Sequence, residues 1–359
     1  MIAPKPHIAA MQSFALADLS AEPGVKVISL AQNESLSPPS PKALEAAKHA
    51  MTDASLYPDP DWADLRAAIA ERHGLDADDI LCSAGSMDVI AALIMAFCGP
   101  GDRVLSTAHG YGYFRTSAQF VQADYDAAPE TDLTVDVDAL LAMIQPTTRI
   151  VCVANPGNPT GTRISRAELI RLRDAMPADV ILLIDEAYAE FTDHLGEQMF
   201  DLVERGDTVV TRSFSKAHAL AGQRIGWGLF PPSIGKHARK LLTAGGVTAV
   251  SYAAAAASMR DPGHVAAAVT KTSAIRDRFI ASMNAIGIKT APSHTNFALL
   301  QFSDVAERER ADAALRARGV IMRPMGGYGL PHTLRATIAA DETMEMVASI
   351  LTAWRTTES

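Results

Sequence analysis

The segment with the densest set of chemically active side chains is residues 213–224, which read SFSKAHALAGQR. It carries an amine on Lys216, hydroxyls on Ser213 and Ser215, and a guanidinium on Arg224. A lone lysine in a loop is usually only solvated, but a lysine amine can also form a Schiff base with an aldehyde. A guanidinium with neighbouring hydroxyls can hold a phosphate dianion. Together these groups indicate a site for an aldehyde cofactor that carries a phosphate group.

A carboxylate follows a second apolar run, because VILLIDEAY (residues 180–188) reads as a buried strand that ends at Asp185. A carboxylate at that place is costly unless it is paired or functional. Opposite a pyridine nitrogen it would keep the ring protonated, and Tyr188 could donate a hydrogen bond to a phenolate oxygen. Asp185 and Glu186 could instead form a metal or helix-cap pair, but no histidine stands at ligand spacing nearby, so we expect no metal.

Three further segments offer groups that suit the same ligand. NPGNPTG, at residues 155–161, has two Asn-Pro pairs and two glycines, which disfavours an ordinary turn and leaves Asn158 as an amide donor. A Gly-Ser-Met turn opens an apolar helix, where the backbone amides of Ser86 and Met87 can bind a phosphate. Tyr111, in HGYGYF, offers an aromatic face for stacking, with core packing as an equal alternative.

Short apolar strands alternate with amphipathic helices up to about residue 260, which predicts an α/β domain with a mostly parallel sheet flanked by helices. In such sheets ligands bind beyond the carboxyl ends of the strands, so residues far apart in sequence can meet there. After residue 260, two long helical patterns bracket short strands, which predicts a smaller α+β domain. We therefore expect an N-terminal arm over residues 1–35, which packs with the small domain, a large domain over 36–260 and a small domain over 261–359.

Capping residues mark the starts of two helices. Ser40 followed by Pro41 predicts the first, since serine caps a helix and proline fits its first turn. Asp61 predicts the start of a second helix, which ends at His73 before Gly74.

Composition limits the classes of protein to which the chain can belong. It has 359 residues, a net charge of −9 and three cysteines scattered in apolar runs. The negative charge argues against nucleic acid or an anionic membrane as the main partner, and the longest apolar run, VIAALIMAF, is too short to span a bilayer. The cysteines have neither disulfide nor metal spacing, and the N-terminus has no signal-peptide pattern. We therefore expect a cytoplasmic protein.

Four motifs, NPGNPTG, DEAY, SFSKAHALAGQRIGW and TLRATIA, stand in an order and at spacings that resemble the pyridoxal-phosphate aminotransferases of fold type I. The resemblance covers nearly the whole chain and is strongest to the histidinol-phosphate aminotransferase branch. It implies pyridoxal 5′-phosphate as the cofactor and a large sheet domain with a small C-terminal domain. It also implies a homodimer whose active sites lie at the subunit interface.

The resemblance implies roles for single residues at the cofactor ring. Lys216 would hold the cofactor as a Schiff base, and Asp185 would pair with the pyridine nitrogen. Asn158 and Tyr188 would donate to the ring hydroxyl oxygen, and Tyr111 would stack on the ring. Of these, Lys216, Asp185 and Tyr188 would take part in the chemistry itself.

The resemblance also implies which residues hold the phosphate and the substrate. The phosphate cup would consist of Ser213, Ser215, Arg224 and the amides of Ser86 and Met87. Tyr57, in LYPDP, would reach the phosphate from the other subunit. Arg335, in TLRATIA, would bind the anionic group of the substrate, and Arg323, in VIMRPM, would be a second such arginine.

The chain departs from the family pattern at three places. GSMD, at residues 85–88, stands where two consecutive acidic residues are common, so Met87 offers only its backbone. NESLSPPSP, at residues 33–41, differs from the usual NENP-type segment. Phe14 stands where the histidinol-phosphate branch often has a tyrosine for the substrate phosphate. We therefore expect histidinol phosphate to be a poor substrate beside at least one ordinary amino acid.

These observations predict an aminotransferase that moves an amino group between an amino acid, or an amine like histidinol phosphate, and a 2-oxo acid by a ping-pong mechanism. The freed amine of Lys216 would carry the proton between Cα and the cofactor. Decarboxylases and β-eliminating lyases of the same fold are the alternative, since motifs do not show which Cα bond breaks. A non-catalytic sensor domain of a transcription factor is least favoured, because the winged-helix module of such proteins would have to precede Asn33.

Overall fold

The computed structural model describes residues 2–11, 18–20, 24–35 and 37–358. Its strands are β1 Ile28–Ser29, β2 Ile80–Ser83, β3 Arg103–Thr107, β4 Asp124–Ala128, β5 Glu130–Thr131, β6 Thr134–Val135, β7 Thr148–Ala154, β8 Ile181–Asp185, β9 Thr208–Ser213, β10 Gly226–Leu229, β11 Lys289–Thr290, β12 Phe297–Gln301, β13 Val320–Ile321, β14 Arg323–Met325 and β15 Leu330–Thr337. Its α-helices are α1 Pro6–Ala10, α2 Pro41–Ala50, α3 Ala63–His73, α4 Ser86–Phe97, α5 Tyr113–Phe120, α6 Val137–Ala142, α7 Arg166–Ala175, α8 Phe200–Val203, α9 Pro232–Ala238, α10 Ala249–Met259, α11 Pro262–Ala285, α12 Val305–Arg316 and α13 Asp341–Glu358. None of the described helices is both long and apolar enough to cross a bilayer.

The larger sheet has seven strands in the order β2-β10-β9-β8-β7-β3-β4. Strand β10 is antiparallel to both of its neighbours, and the pairs from β9 to β4 are parallel. Every residue of β8 and β9 is buried, as in sheets that are covered on both faces. Helices α4 and α5 pack directly on strands of this sheet. The predicted α/β architecture with a mostly parallel sheet is confirmed.

A second, antiparallel sheet in the order β11-β12-β15-β14 follows in the C-terminal part of the chain. It shares an apolar cluster with α11, α12 and α13, and this cluster is separate from the one around the larger sheet. The arm joins it, because β1 pairs with β13 in parallel and Leu30 is buried in the second cluster. The proposed limits of the arm and of the two domains stay a prediction.

One of the two predicted helix starts is confirmed and the other is wrong. The hydroxyl of Ser40 accepts a hydrogen bond from the amide of Lys42 at the start of α2. Helix α3 begins at Ala63 instead of Asp61, and the carboxylate that accepts its first amide belongs to Asp59, at 2.7 Å. The reason is Trp62, which is buried in a left-handed conformation with φ 53° and turns the chain just before the helix.

A glycine in β10 allows this strand to contact the start of α4. A Cβ atom on Gly226 would lie 2.2 Å from the backbone nitrogen of Ser86, which is far inside van der Waals contact. Gly85, the residue before α4, has φ +102°, a conformation that L side chains rarely adopt. The position of the first amides of α4 therefore depends on these two glycines.

We expect Gly226→Ala to lower the free energy of unfolding by about 1–3 kcal/mol, because the new methyl group forces backbone atoms apart. Urea unfolding measures this loss. Gly263→Ala is the control, since a Cβ there meets nothing within 4 Å. Equal stability of the two variants would contradict the proposed close contact.

Candidate active site

A cavity of about 330 Å³ opens at the carboxyl ends of β7, β8 and β9. Every site residue predicted from the sequence lines it, except Tyr57. These residues are Ser86, Met87, Tyr111, Asn158, Asp185, Tyr188, Ser213, Ser215, Lys216, Arg224, Arg323 and Arg335. Tyr57 lies outside the cavity with 99% of its surface exposed. Phe14 lies outside the described residues.

Hydrogen-bond donors that suit an anion lie at one end of the cavity. Helix α4 begins there with Ser86 and Met87, and no side chain caps its first amides. The hydroxyls of Ser213 and Ser215 and the guanidinium of Arg224 line the same cavity. A helix N-terminus, two hydroxyls and a guanidinium together form a set that fits a phosphate dianion.

The amine of Lys216 is held at the base of the cavity. Its Nζ donates a hydrogen bond to the backbone oxygen of Asn33, at 2.9 Å. Burial lowers the pKa of Lys216 from 10.5 to about 7, and the positive charge of Arg335 adds to this effect, while Glu34 opposes it. Near neutral pH the amine can therefore both take up and release a proton.

The carboxyl group of Asp185 ends β8 and is almost completely buried. Burial raises its pKa from 3.8 to about 6, against the effect of a 2.9 Å hydrogen bond from Oγ1 of Thr211. A buried carboxylate of this kind gains much from a cationic partner. The position fits the pairing of Asp185 with a protonated ring nitrogen.

Aromatic rings form two walls of the cavity. Tyr188 is buried, accepts a hydrogen bond at its Oη from Nδ2 of Asn33 at 2.8 Å, and has a pKa that burial raises to about 12. Tyr111 packs edge-to-face on Phe114 with ring centroids 5.7 Å apart, and burial raises its pKa as well. The hydroxyl groups of both tyrosines therefore stay protonated at neutral pH and can donate hydrogen bonds.

Two arginines from the second sheet reach the same cavity. Arg335 donates to Oδ1 of Asn158 at 2.5 Å and to the backbone oxygen of Ala31 at 3.1 Å. Its Nε is buried without a hydrogen-bond partner among the described residues, and burial lowers its pKa. Arg323 lies directly opposite Arg335 in the register of β14 and β15. A buried donor beside a second arginine indicates a place for an anionic group.

Sequence reasoning missed three residues of this site. Asn33 contacts both Lys216 and Tyr188, and Thr211 contacts Asp185. Tyr328 lines the cavity from the C-terminal part of the chain. Thr211 could have been found from the strand pattern, since it precedes Ser213 by two positions and so lies on the same face of β9. Asn33 begins the segment that differs from the NENP-type pattern, which was a signal for this position, whereas Tyr328 has no comparable signal.

A comparison with known families agrees with this geometry. The model of the family described as aminotransferase class I and II matches residues 25–353. The chain belongs to this aminotransferase family. Histidinol-phosphate aminotransferase of Granulibacter bethesdensis is 40% identical to it over 354 residues, which cover 98% of this chain and 95% of the relative. Histidinol-phosphate aminotransferase of Ruegeria pomeroyi is 39% identical over 92% of this chain and 91% of the relative.

Solved structures support the fold of this aminotransferase. A crystal structure of histidinol-phosphate aminotransferase from Sinorhizobium meliloti, in complex with pyridoxal-5′-phosphate, superimposes with a TM-score of 0.91. The match covers 99% of this chain and 98% of the chain in that crystal structure, at 24% sequence identity. The expected fold type I architecture is confirmed.

The family membership also decides between the functions that the sequence left open. The chain is an aminotransferase, and neither the decarboxylase and lyase alternative nor the sensor alternative is favoured. Pyridoxal 5′-phosphate is the cofactor of this family, which confirms the expected cofactor. The anion-binding end, the buried amine and the buried carboxylate of the cavity fit this cofactor.

The lowered pKa of Lys216 is testable in the aminotransferase without its cofactor. Only the neutral amine is acylated, so labelling of Lys216 by acetic anhydride should rise with pH and level off above about pH 8, one unit above its pKa. Ordinary lysines, with a pKa of about 10.4, should continue to gain reactivity. Peptide mass spectrometry measures the labelling of Lys216 and of the other lysines at each pH. Labelling of Lys216 that still rises between about pH 9 and 10 would contradict the lowered pKa.

Proposed function

We propose that this aminotransferase binds pyridoxal 5′-phosphate at Lys216 and transfers the amino group of histidinol phosphate to a 2-oxo acid. The observation that carries the proposal is the convergence on one cavity of the amine of Lys216, the carboxylate of Asp185 and an anion-binding helix end. The names of relatives that are about 40% identical over almost the whole chain support the choice of amino donor.

The residues of the cavity have different roles in the proposed reaction. When bound, the cofactor supplies an aldehyde carbon that takes the amino group and a ring that accepts electrons. Nζ of Lys216 moves the proton to and from the substrate Cα, for which its pKa of about 7 is well suited. The carboxylate of Asp185 would pair with the ring nitrogen and favour its protonated form, and Oη of Tyr188 would be a hydrogen-bond donor for the ring hydroxyl oxygen.

Donor and acceptor use the same cavity in turn, which leads to ping-pong kinetics. Arg335 and Arg323 suit both of them, because a guanidinium pairs with a carboxylate as well as with a phosphate. The burial of Arg335 strengthens this pairing, since a buried cation without an anion is costly. The 2-oxo acid therefore binds through its carboxylate at the arginines that also bind the anionic group of the donor.

The relatives and the residue at position 14 point to different amino donors. The relatives' names favour histidinol phosphate, whereas Phe14, in place of a phosphate-binding tyrosine, favours an ordinary amino acid. We favour histidinol phosphate, because Arg335 and Arg323 offer enough donors for a phosphate. The expectation based on Phe14 stays a prediction, and the same experiment tests both.

A panel of single half-reactions identifies the donor. Histidinol phosphate and aromatic, aliphatic and acidic amino acids are each added to the yellow holoenzyme, and the loss of visible absorbance gives kcat/KM. We expect histidinol phosphate to lead by about tenfold or more, which is about 1.4 kcal/mol. Arg335→Lys should raise KM strongly, because a point charge does not replace a planar fork.

The matched control for the arginine variant is Arg318→Lys, which changes an exposed residue and should leave KM unchanged. A lead of similar size for an ordinary amino acid would refute the donor proposed here and support the expectation from Phe14. Absence of any absorbance change with every donor would refute transamination at this site.

We also propose a homodimer in which Tyr57 completes the phosphate site of the partner subunit. Its ring is almost fully exposed in the single chain, although tyrosine has a large apolar surface. Leu56 and Met51, which precede it, are exposed apolar residues as well. An apolar surface of this kind is typical of an interface between subunits. The cytoplasmic location expected from the sequence stays a prediction.

Mixing two variants tests the shared site. Tyr57→Phe should weaken cofactor binding by the worth of a charge-assisted hydrogen bond, about 1.5–3 kcal/mol, and Lys216→Ala should abolish turnover. At a cofactor concentration where neither variant is active, the mixed dimer should recover activity, because one of its two sites is intact. A fully active monomer, or no recovery in dimers proven to be mixed, would contradict the proposal.

A further inference from the structure

A second cavity, of about 370 Å³, lies beside the loop that carries the catalytic lysine. It is bounded by the end of α3, by the turns that follow β8, by the loop that follows β9, and by α10 and α11. Much of its wall is apolar and includes Phe191, Val265 and Val269. None of the residues predicted for the active site lines it. It is therefore a separate cavity to which the transamination reaction assigns no role.

Two carboxyl groups that line this cavity, those of Glu190 and Asp193, lie near the buried guanidinium of Arg212, which also contacts Glu186 behind the cavity wall. Arg212 contacts Glu186 at 2.8 Å and Asp193 at 3.1 Å, but its distance to Oε1 of Glu190 is 3.8 Å. The side chain of Glu190 is only 11% exposed, and its Oε2 has no hydrogen-bond partner in the part of the chain that the structure describes. Burial raises the pKa of Glu190, and the positive charge of Arg212 opposes this effect. Glu190 thus has a buried carboxyl oxygen without a hydrogen-bond partner among the described residues, and its nearest cation is shared with two other carboxyl groups.

The other titratable groups that line this cavity provide no buried positive charge that could pair with Glu190. His218 and His73 both line it, and burial lowers their pKa values to about 4 and about 3, so both rings are neutral. Nε2 of His218 is 3.8 Å from Oε1 of Glu190, and its Nδ1 is 2.8 Å from Oγ of Ser258. Arg72 and the exposed His194 stand at the rim, where water and salt screen a charge.

We infer that this cavity binds a small organic cation whose charged group pairs with Glu190 and whose apolar body lies against Phe191 and Val269. The volume is that of sites for small molecules. A metal ion fits less well, because no group of three or more His, Cys, Asp or Glu side chains among the described residues is arranged so that it could hold a metal ion. The active-site cavity is less suited to such a ligand, since its arginines favour a ligand that carries an anionic group.

One apolar cluster separates the two cavities. Its members are Tyr188, Phe191, Ala217, Val265 and Phe297, with Val269 packed against them. Glu190 follows Tyr188 by two positions, and His218 follows Lys216 by two positions. A ligand that contacts Glu190 and His218 therefore acts on the two segments that carry catalytic groups. We expect its binding to change the rate of transamination, a coupling that rests on the function proposed above.

The probe is N,N-dimethylbenzylamine, a tertiary amine that cannot form a Schiff base with the cofactor. Calorimetric titration of the holoenzyme should give one bound probe per chain, and the uncharged benzyl methyl ether should bind at least about tenfold more weakly. Glu190→Gln, which removes the charge and keeps the shape, should weaken binding of the amine by tenfold or more. Ala266→Phe should abolish binding, because the new ring fills the cavity.

Two controls locate the probe. Ala267→Phe places the same ring on the next, exposed residue of α11, which does not line the cavity, and should bind the probe like the wild type. Glu204→Gln makes the same charge change at an exposed residue and should do likewise. No binding to the wild type, or binding that survives both Glu190→Gln and Ala266→Phe, would overturn the proposed site.

The half-reaction rate with the best amino donor, measured with and without the probe, tests the coupling. We expect the probe to change kcat or KM at least about twofold in the wild type, and not at all in Ala266→Phe. Calorimetric binding with unchanged kinetic constants would overturn the coupling and leave the site itself established. Failure of transamination in every assay would refute the proposed function, whereas the calorimetric result does not depend on it.

Discussion

Lys216 and Arg335 are two cations held out of water in one cavity, and the chemistry of the site depends on how their charges are balanced. Burial lowers the pKa of both side chains. For Lys216 this turns a permanently charged side chain into a group that exchanges protons near neutrality. For Arg335 it creates a strong preference for an anionic partner. Asp185 supplies a buried negative charge, and Thr211 opposes the neutralising effect of its burial.

The register of the larger sheet places these groups at the same edge of the sheet. In the register of the parallel strands, Asp185 lies opposite Ala154 on one side and opposite Thr211 on the other, so the ends of β7, β8 and β9 meet at one edge. The antiparallel strand β10 then places Gly226 against the start of α4, which brings the helix end to the same edge. The start of α4 and the amine of Lys216 are thus placed at the same edge of the sheet by the register of its strands.

Asn33, in the N-terminal arm, links the second sheet to this edge. The backbone nitrogen of Asn33 donates to Oγ1 of Thr337 in β15, at 2.9 Å, while its backbone oxygen accepts from Lys216 and from Nδ2 of Asn296. Asn33 has φ 54°, which asparagine tolerates better than most residues. Its side chain also contacts Tyr188, so Asn33 connects the second sheet with both Lys216 and Tyr188.

The sequence by itself determined what depends on local pattern: the alternating strands and helices, the acid Asp185 at a strand end, and the motifs whose residues meet in one cavity. It did not determine the start of α3, because the left-handed turn at Trp62 depends on the burial of its ring. Nor did it identify Thr211 and Asn33, which contact Asp185 and Tyr188 across 26 and 155 positions of the chain. Hydroxyl and amide side chains are common everywhere, and only strand register and packing between the sheets decide which of them lie next to a buried charge.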